Sequence, residues 1–273
     1  MVIPTSITIA GLNFYTYGFI LGLAVIVGIR GIERAAYLQG ISSGMLTGPI
    51  ASALLGALLG ARVWHGVTDW QLYAQSPIEL FAVWQGGLSI VGGVGGLGLG
   101  LLLWRIWKQK TTRDEIPSLL TLTDLTIFGL PIAQSIGRWA NYVNQELYGY
   151  PSQLPWAIFI GQDKRVAGYE QHSYFHPLFL YESLAMAVFA GVVWWLVWAG
   201  KWKETRVGSG WLTAWYGLYY CTVRFVLEFL KLQVVRIDSV GLTLNQVVVL
   251  SAAIGSAWWI YLLRADDVRK RRV

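Results

Sequence analysis

Residues 177–198 read PLFLYESLAMAVFAGVVWWLVW, an apolar run with one charge, Glu182. As a helix, a run of about eighteen or more such residues is long enough to cross the hydrocarbon core of a bilayer. Working outward, runs of the same kind lie at about 11–29, 45–67, 86–104, 118–137, 210–228 and 241–263, so seven transmembrane helices are predicted. The fourth is the least regular, because it holds Asp124 and Pro131. Composition agrees: 13% of the residues are charged, against about 25% in soluble domains. The fold expected is therefore all-α, a polytopic integral membrane protein. It forms a single transmembrane domain over 1–273. The longest connection, at about 138–176, holds Pro151, Pro155 and a polar run, and reads as a small extracytoplasmic cap.

The formal net charge of +6 has to be read loop by loop in such a chain, not as a nucleic-acid signal. Of the 21 Lys and Arg residues, fourteen fall in loops one, three and five and in the tail, and five fall on the alternate side. The positive-inside rule then puts the N-terminus outside and the C-terminus in the cytoplasm. No basic stretch precedes the first apolar run, so no cleaved signal peptide is expected. The single cysteine, Cys221, excludes an intramolecular disulfide and a CxxC metal site.

Ionisable groups at membrane depth are costly and mark function by default. With the orientation set by charge, Tyr17, Arg62, His65 and the Gly86-Gly87-Leu88-Ser89 segment gather near the outer interface. So do Arg138, Asn141, Asn144, Glu146, His176, Tyr181, Glu182, Arg224 and Glu228. Six of the seven spans contribute. Each group also has an ordinary reading: Arg224 and Glu228, four residues apart on a helix, could neutralise each other. Asp124 could bind a neighbouring helix's hydroxyls, and Gly92-Gly93-Val94-Gly95-Gly96 suits close helix packing. The stretch Arg138 to Glu146 resists such a reading. Four hydrogen-bonding side chains within nine residues, beside an apolar span, need partners that lipid cannot supply. No Gly-x-Ser-x-Gly elbow, His-Glu-x-x-His, Walker loop or Cys/His cluster is present. Two arginines at the outer interface point instead to an anionic lipid head group, because guanidinium binds phosphate bidentately.

Residues 137–149, GRWANYVNQELYG, resemble the signature of the prolipoprotein diacylglyceryl transferases, Gly-Arg-x-x-Asn-(aromatic)-x-Asn-x-Glu-x-x-Gly. Further matches run in order along nearly the whole chain: Tyr17-Gly18, Gly60-Ala61-Arg62, Trp84 with Gly86-Gly87-Leu88-Ser89, and Asp124. His176-Pro177 with Tyr181-Glu182, then Tyr220, Arg224, Glu228 and Gln246 complete the series. The resemblance implies transfer of the diacylglyceryl group of phosphatidylglycerol to the lipobox cysteine of a prolipoprotein signal peptide, at the bacterial inner membrane, with no metal or organic cofactor. It implies that Arg138 and Arg224 bind the head-group phosphate. Tyr17, Asn141 and Glu146 shape the site, and Tyr220 and Glu228 orient Arg224. Gly86, Gly87, Ser89, Asn144, Gly149, His176 and Arg62 are implied on the substrate side.

Two positions depart from the family pattern. The family segment Gly-Gly-(Met/Leu/Ile)-(Ser/Ala)-x-His-Gly carries a His that is the favoured base for the thiol, and here Val91 stands in its place. In His-Pro-x-Gln-x-Tyr-Glu, Phe179 replaces Gln. Two readings follow: a base supplied elsewhere, with His65 the candidate, or a paralogue that binds phospholipid or signal peptide without transfer. A small-solute transporter would instead carry polar groups through to the cytoplasmic side.

Overall fold

A computed structural model describes residues 6–9, 12–81, 87–111, 116–232 and 241–270. Long helices dominate, and the chain divides into two compact units, Ala36–Pro117 and the remainder. Among the described residues, Gly44–Thr68, Leu178–Trp198 and Leu244–Asp266 are long and apolar enough to cross a membrane. Leu119–Thr126 with Leu130–Asn144 is a fourth candidate if this pair, bent by 47°, is one span. Many of the helices' large apolar side chains face outward, Phe19, Val192 and Trp198 among them, as lipid-facing surfaces require.

The larger unit begins with a hairpin, β1 (Ser6–Ile9) and β2 (Leu12–Tyr15), in which Ser6 lies opposite Tyr15 and Ile9 opposite Leu12. The hairpin corrects the first expected boundary. Residues 12–15 are strand, α1 starts at Thr16, and the helix runs on to Leu38 instead of ending near 29. β-branched residues in Ile7-Thr8-Ile9 favour a pleated backbone, and hydropathy alone does not separate that from a helix start.

The expected fourth span is broken. α5 (Leu119–Thr126) and α6 (Leu130–Asn144) meet at 127–129. Pro131 has no amide to donate and sits in the first turn of α6, where none is needed. The indole Nε1 of Trp194 donates to the Phe128 carbonyl at the break, at 3.0 Å. At the same break the backbone of α1 comes close. A Cβ on Gly129 would collide with the Gly28 carbonyl, and one on Gly31 would stand 2.7 Å from the Phe128 oxygen. α6 also continues through Asn144, so residues 138–144, expected to open the cap, are its last two turns. Residues 145–177 then form a compact segment in which strands Ile158–Phe159 (β3) and Tyr174–Phe175 (β4) pair. Tyr148, Ile160, Phe175 and Leu232 make its small core. The Tyr148 hydroxyl donates to the Lys164 carbonyl (2.6 Å) and accepts from the Val166 amide (3.0 Å).

α7 (Leu178–Trp198) packs on α6 and on α8 (Trp211–Glu228), and α8 packs on α9 (Leu244–Lys270). The N-terminus of α8 is capped in trans. The fully buried Asp124 carboxylate accepts from the amides of Gly208 (3.0 Å), Gly210 (2.8 Å) and Thr213 (3.0 Å) and from the Thr213 hydroxyl (2.8 Å). The hydroxyl expected as its partner is there, but most of its bonds go to backbone. Gly210 has φ 81°, and a Cβ on it would strike the Trp259 ring, so glycine is required twice over at this turn.

The smaller unit is built on α2 (Ser43–Thr68) against α4 (Ile90–Thr111), with a one-turn helix α3 (Trp70–Tyr73) between them in sequence. Gly56 and Gly60 of α2 face Gly96 and Gly92 of α4. A Cβ on any of the four would enter the opposing helix's carbonyl. Small residues at a four-residue repeat let backbones touch, which is how helices associate where lipid offers no hydrophobic drive.

Candidate active site

Within the larger unit, the ends of α6 and α8 and the start of α7 meet around one carboxylate. Glu182, one turn into α7, is wholly buried. Its Oε1 accepts from Nη2 of Arg138 on α6 at 2.5 Å, and its Oε2 from Nη1 of Arg224 on α8 at 2.9 Å. A carboxylate taken out of water alone would cost several kcal/mol, so two guanidiniums on its two oxygens account for its burial. The arginines keep partial access, with 26% and 18% of their side-chain surface exposed. The Arg138 Nε is buried without a hydrogen-bond partner among the described residues.

From Arg138 the network runs outward along the last turn of α6. Nη1 of Arg138 meets Asn141 Oδ1 at 3.4 Å, and Asn141 Nδ2 donates to Glu146 Oε1 at 2.8 Å. Helical spacing places Arg138 and Asn141, three apart, on one face. Glu146 reaches back because Gln145 and Leu147 both take left-handed backbone, φ 55° and 56°, which turns the chain sharply after the helix. Such φ values are uncommon for residues other than glycine. They are held here by Gln145 Oε1 accepting from the Gly161 amide and by the Phe179 amide donating to the Leu147 carbonyl. Asn144 ends α6 beside this turn, half-buried. Tyr17, at the start of α1, lies within electrostatic reach of Glu146 and Arg138.

On the α8 side, Tyr220 lies within electrostatic reach of Glu182, Arg224 and Arg138, and stacks on Tyr216 with ring centroids 5.8 Å apart. Tyr216 donates to Gln134 of α6 at 2.5 Å. Arg224 was paired with Glu228 on sequence spacing. That contact is 3.9 Å, longer than the one to Glu182. Glu228 is occupied by Asn245 Nδ2 (2.8 Å), the Thr243 hydroxyl (3.5 Å) and Lys231 (3.8 Å), tying α8 to the start of α9. His176 Nδ1 lies 3.0 Å from the Tyr181 hydroxyl, which also receives the Trp156 indole N–H at 2.9 Å. Gly149 is packed where a Cβ would meet the Leu230 carbonyl, and its amide donates to the His176 carbonyl. Both residues thus fix the segment above the arginines.

The smaller unit holds the other expected residues. Arg62 is buried and its guanidinium donates to the carbonyls of Leu80 (2.7 Å), Gly87 (3.0 Å) and Glu79, with the Tyr73 ring 5.2 Å away. This arginine ties the backbone at 79–80 and at Gly87 to α2. His65 Nδ1 lies 3.0 Å from Asp69 Oδ2. Gly87 has φ 69°, and a Cβ there would come within 2.6 Å of the His65 ring, so ring and backbone are in close approach. The Ser89 amide donates to the Ala61 carbonyl, and its hydroxyl meets the Gly92 amide at 3.5 Å, at the start of α4. Gly86 lies outside the described residues. Val91, 65% exposed, is the second residue of α4.

Three residues of this arrangement carry weight that spacing alone did not assign: Glu182 between the arginines, Asp69 on His65, and Gln134 on Tyr216. A signal existed for the first, since two arginines near one face of a membrane protein call for a buried carboxylate.

A family model described as prolipoprotein diacylglyceryl transferase matches residues 4–262. The chain belongs to the prolipoprotein diacylglyceryl transferase family. Among its relatives, the phosphatidylglycerol–prolipoprotein diacylglyceryl transferase of Synechococcus elongatus is 32% identical over 96% of this chain and 88% of its own length. Those of Gloeobacter violaceus and a Synechocystis species are 33% and 30% identical, over 94% and 96% of this chain and 92% and 91% of theirs. In the transferase family's terms, the signature Gly137–Gly149 is the last two turns of α6 and the left-handed turn after it.

Proposed function

We propose that this chain transfers the diacylglyceryl group of phosphatidylglycerol to the lipobox cysteine thiol of prolipoproteins, the first step of bacterial lipoprotein maturation. The observation that carries this reading is the pair of guanidiniums, Arg138 and Arg224, converging on Glu182 from two helices. The cysteine sulfur bonds to the terminal glycerol carbon of the diacylglyceryl group. The bond from that carbon to the phosphate oxygen breaks, and glycerol 1-phosphate departs with the bonding pair. Charge grows on the departing phosphate, and fixed guanidiniums in a water-poor site stabilise it without reorganising. Glu182 holds both in place beforehand. Asn141 and Glu146 line the approach to Arg138, with Tyr17 beside them.

The thiol proton needs an acceptor, and His65 is the candidate. Its Nδ1 faces the Asp69 carboxylate, which leaves Nε2 as the basic nitrogen. Arg62 and the close fit at Gly87 hold the neighbouring backbone. Val91 favours a second reading, a paralogue that binds phospholipid or signal peptide without transfer, because valine takes no proton. In either case the chain works in the bacterial inner membrane, with seven spans, the N-terminus outside and the arginines near the outer leaflet. The segment 145–177 forms the cap.

The test is diacylglyceryl transfer to a lipobox peptide in vesicles containing phosphatidylglycerol. Arg138→Ala and Arg224→Ala are each expected to lower the rate by about 10²–10³-fold, the cost of removing one preorganised donor to a developing oxyanion. Lysine at either position also loses activity, since it lacks the planar fork. Unchanged transfer and unchanged phosphatidylglycerol binding in both alanine variants would remove the head-group role.

A further inference from the structure

Away from the arginine pair, the turn between α7 and α8 carries a second concentration of cations. A cleft of about 600 Å³ opens there, lined by Leu196, Lys203, Glu204, Arg206, Trp211 and Trp215. The Arg206 guanidinium lies 4.5 Å from the centre of the Trp211 ring, and that of Arg264, from the end of α9, lies 5.7 Å from the same ring. Lys201 sits 5.6 Å from Trp195. Among the described lining residues, Lys203 and Arg206 stand beside one acid, Glu204.

The turn is built, not loose. Arg206 takes left-handed backbone, φ 50°. Its carbonyl accepts from the Ser209 hydroxyl (2.6 Å) and the Ser209 amide (3.1 Å), and its amide donates to the Lys203 carbonyl (3.2 Å). The following residues are gripped from below by Asp124. The guanidinium is therefore presented on a fixed backbone. Beside it, α7 exposes Val188, Val192 and Trp195, spaced as one helical stripe, with Trp198 one turn on and 78% exposed. Cations over an apolar stripe at the end of a membrane helix match an anionic head group with its acyl chains below. Basic pockets between helices on the cytoplasmic side hold such lipids.

We infer that this cleft binds an anionic phospholipid of the cytoplasmic leaflet, its phosphate between Lys203 and Arg206 and its chains along the α7 stripe. The inference rests on the membrane orientation given above, not on the transfer reaction, and the site is distinct from the arginine pair around Glu182. Indole faces at the interface and fixed guanidiniums would hold this lipid as a resident of the fold.

The experiment is native mass spectrometry of the full chain in non-ionic detergent, titrated with phosphatidylserine and, separately, with phosphatidylcholine. Arg138→Ala/Arg224→Ala is carried throughout as a background lacking the other head-group site. Lys203→Gln/Arg206→Gln is expected to weaken phosphatidylserine retention about 25-fold, taking about fivefold per interfacial cation, with phosphatidylcholine unaffected. Glu204→Lys is expected to tighten it about 25-fold on the same scale, since one opposing charge is removed and one cation added. A gain cannot come from misfolding. Equal retention in all three proteins would overturn the inference. So would full displacement of the lipid by millimolar inorganic phosphate, which would make the cleft a free-anion pocket. Lipid binding lost from the Arg138→Ala/Arg224→Ala background alone would place the only anionic site at Glu182 and likewise overturn it.

Discussion

Replacing Asp124 by alanine tests how much of the fold hangs on one buried carboxylate. Asp124 accepts four hydrogen bonds, three of them from backbone amides at the start of α8. Each buried donor left without a partner costs about 1–3 kcal/mol. The Thr213 hydroxyl can turn to another acceptor, and the Gly208 and Thr213 amides are only partly buried, so the buried Gly210 amide sets the scale. The expected loss is about 2–4 kcal/mol, combining one stranded amide at about 1–3 kcal/mol with a lost cap of about 1 kcal/mol. At about 2–4 °C per kcal/mol for a large domain, the melting temperature of the full chain in nanodiscs falls by roughly 4–16 °C. Asp124→Asn keeps an acceptor oxygen but loses the charge, and falls by about a third as much, on the weaker scale of neutral hydrogen bonds. Hydrogen exchange at Gly210 and Thr213 accelerates in the alanine variant before global melting. An alanine variant that melts with wild type, with unchanged exchange at those amides, would refute the capping account.

Three further outcomes follow from the site and the topology. His65→Phe is expected to lower transfer by about 10²–10⁴-fold, the usual worth of general-base help, and Val91→His to restore it; a wild-type rate indifferent to both changes would exclude a histidine base in this region. Cys221→Ala is expected to leave activity near wild type, because the half-buried thiol on α8 reads as a small packing residue; a folded but inactive variant would indicate a covalent intermediate. An alkaline phosphatase fused after residue 273 is expected to be inactive and one inserted within 151–170 active, and the reverse pattern would overturn the outer-face site.

The long helices were legible in the sequence because runs such as 178–198 hold one property, apolarity, over many turns. The breaks were not. At 127–129 the helix stops without any polar run to announce it; Pro131 marks where it restarts, and the close approach of Gly28 and Gly31 of α1 at the break shows only in space. The paired strands 6–9 and 12–15 are too short and too apolar to separate from a span by hydropathy. In the site, Arg138, Asn141 and Glu146 were legible as a cluster in sequence and are one network in space. Glu182 was quoted as part of a pattern without being given its place, because nothing local to α7 says that arginines from two other helices will arrive at it. Arg62 also donates to the backbone carbonyls of Leu80, Gly87 and Glu79, a use of guanidinium that residue type does not foretell.

On the proposed head-group role, the sharing of Glu182 by two arginines also gives the site a direction in time. Those three side chains together hold one positive charge. A phosphodiester lipid brings one negative charge and is drawn in to neutrality. Cleavage leaves a phosphate monoester, which approaches two negative charges once ionised at neutral pH, and the same three groups then enclose a net negative complex. In a medium of low polarity that imbalance favours departure. In that role a trio of two arginines and one glutamate would attract the donor and expel the spent head group without moving, where two arginines alone would retain it.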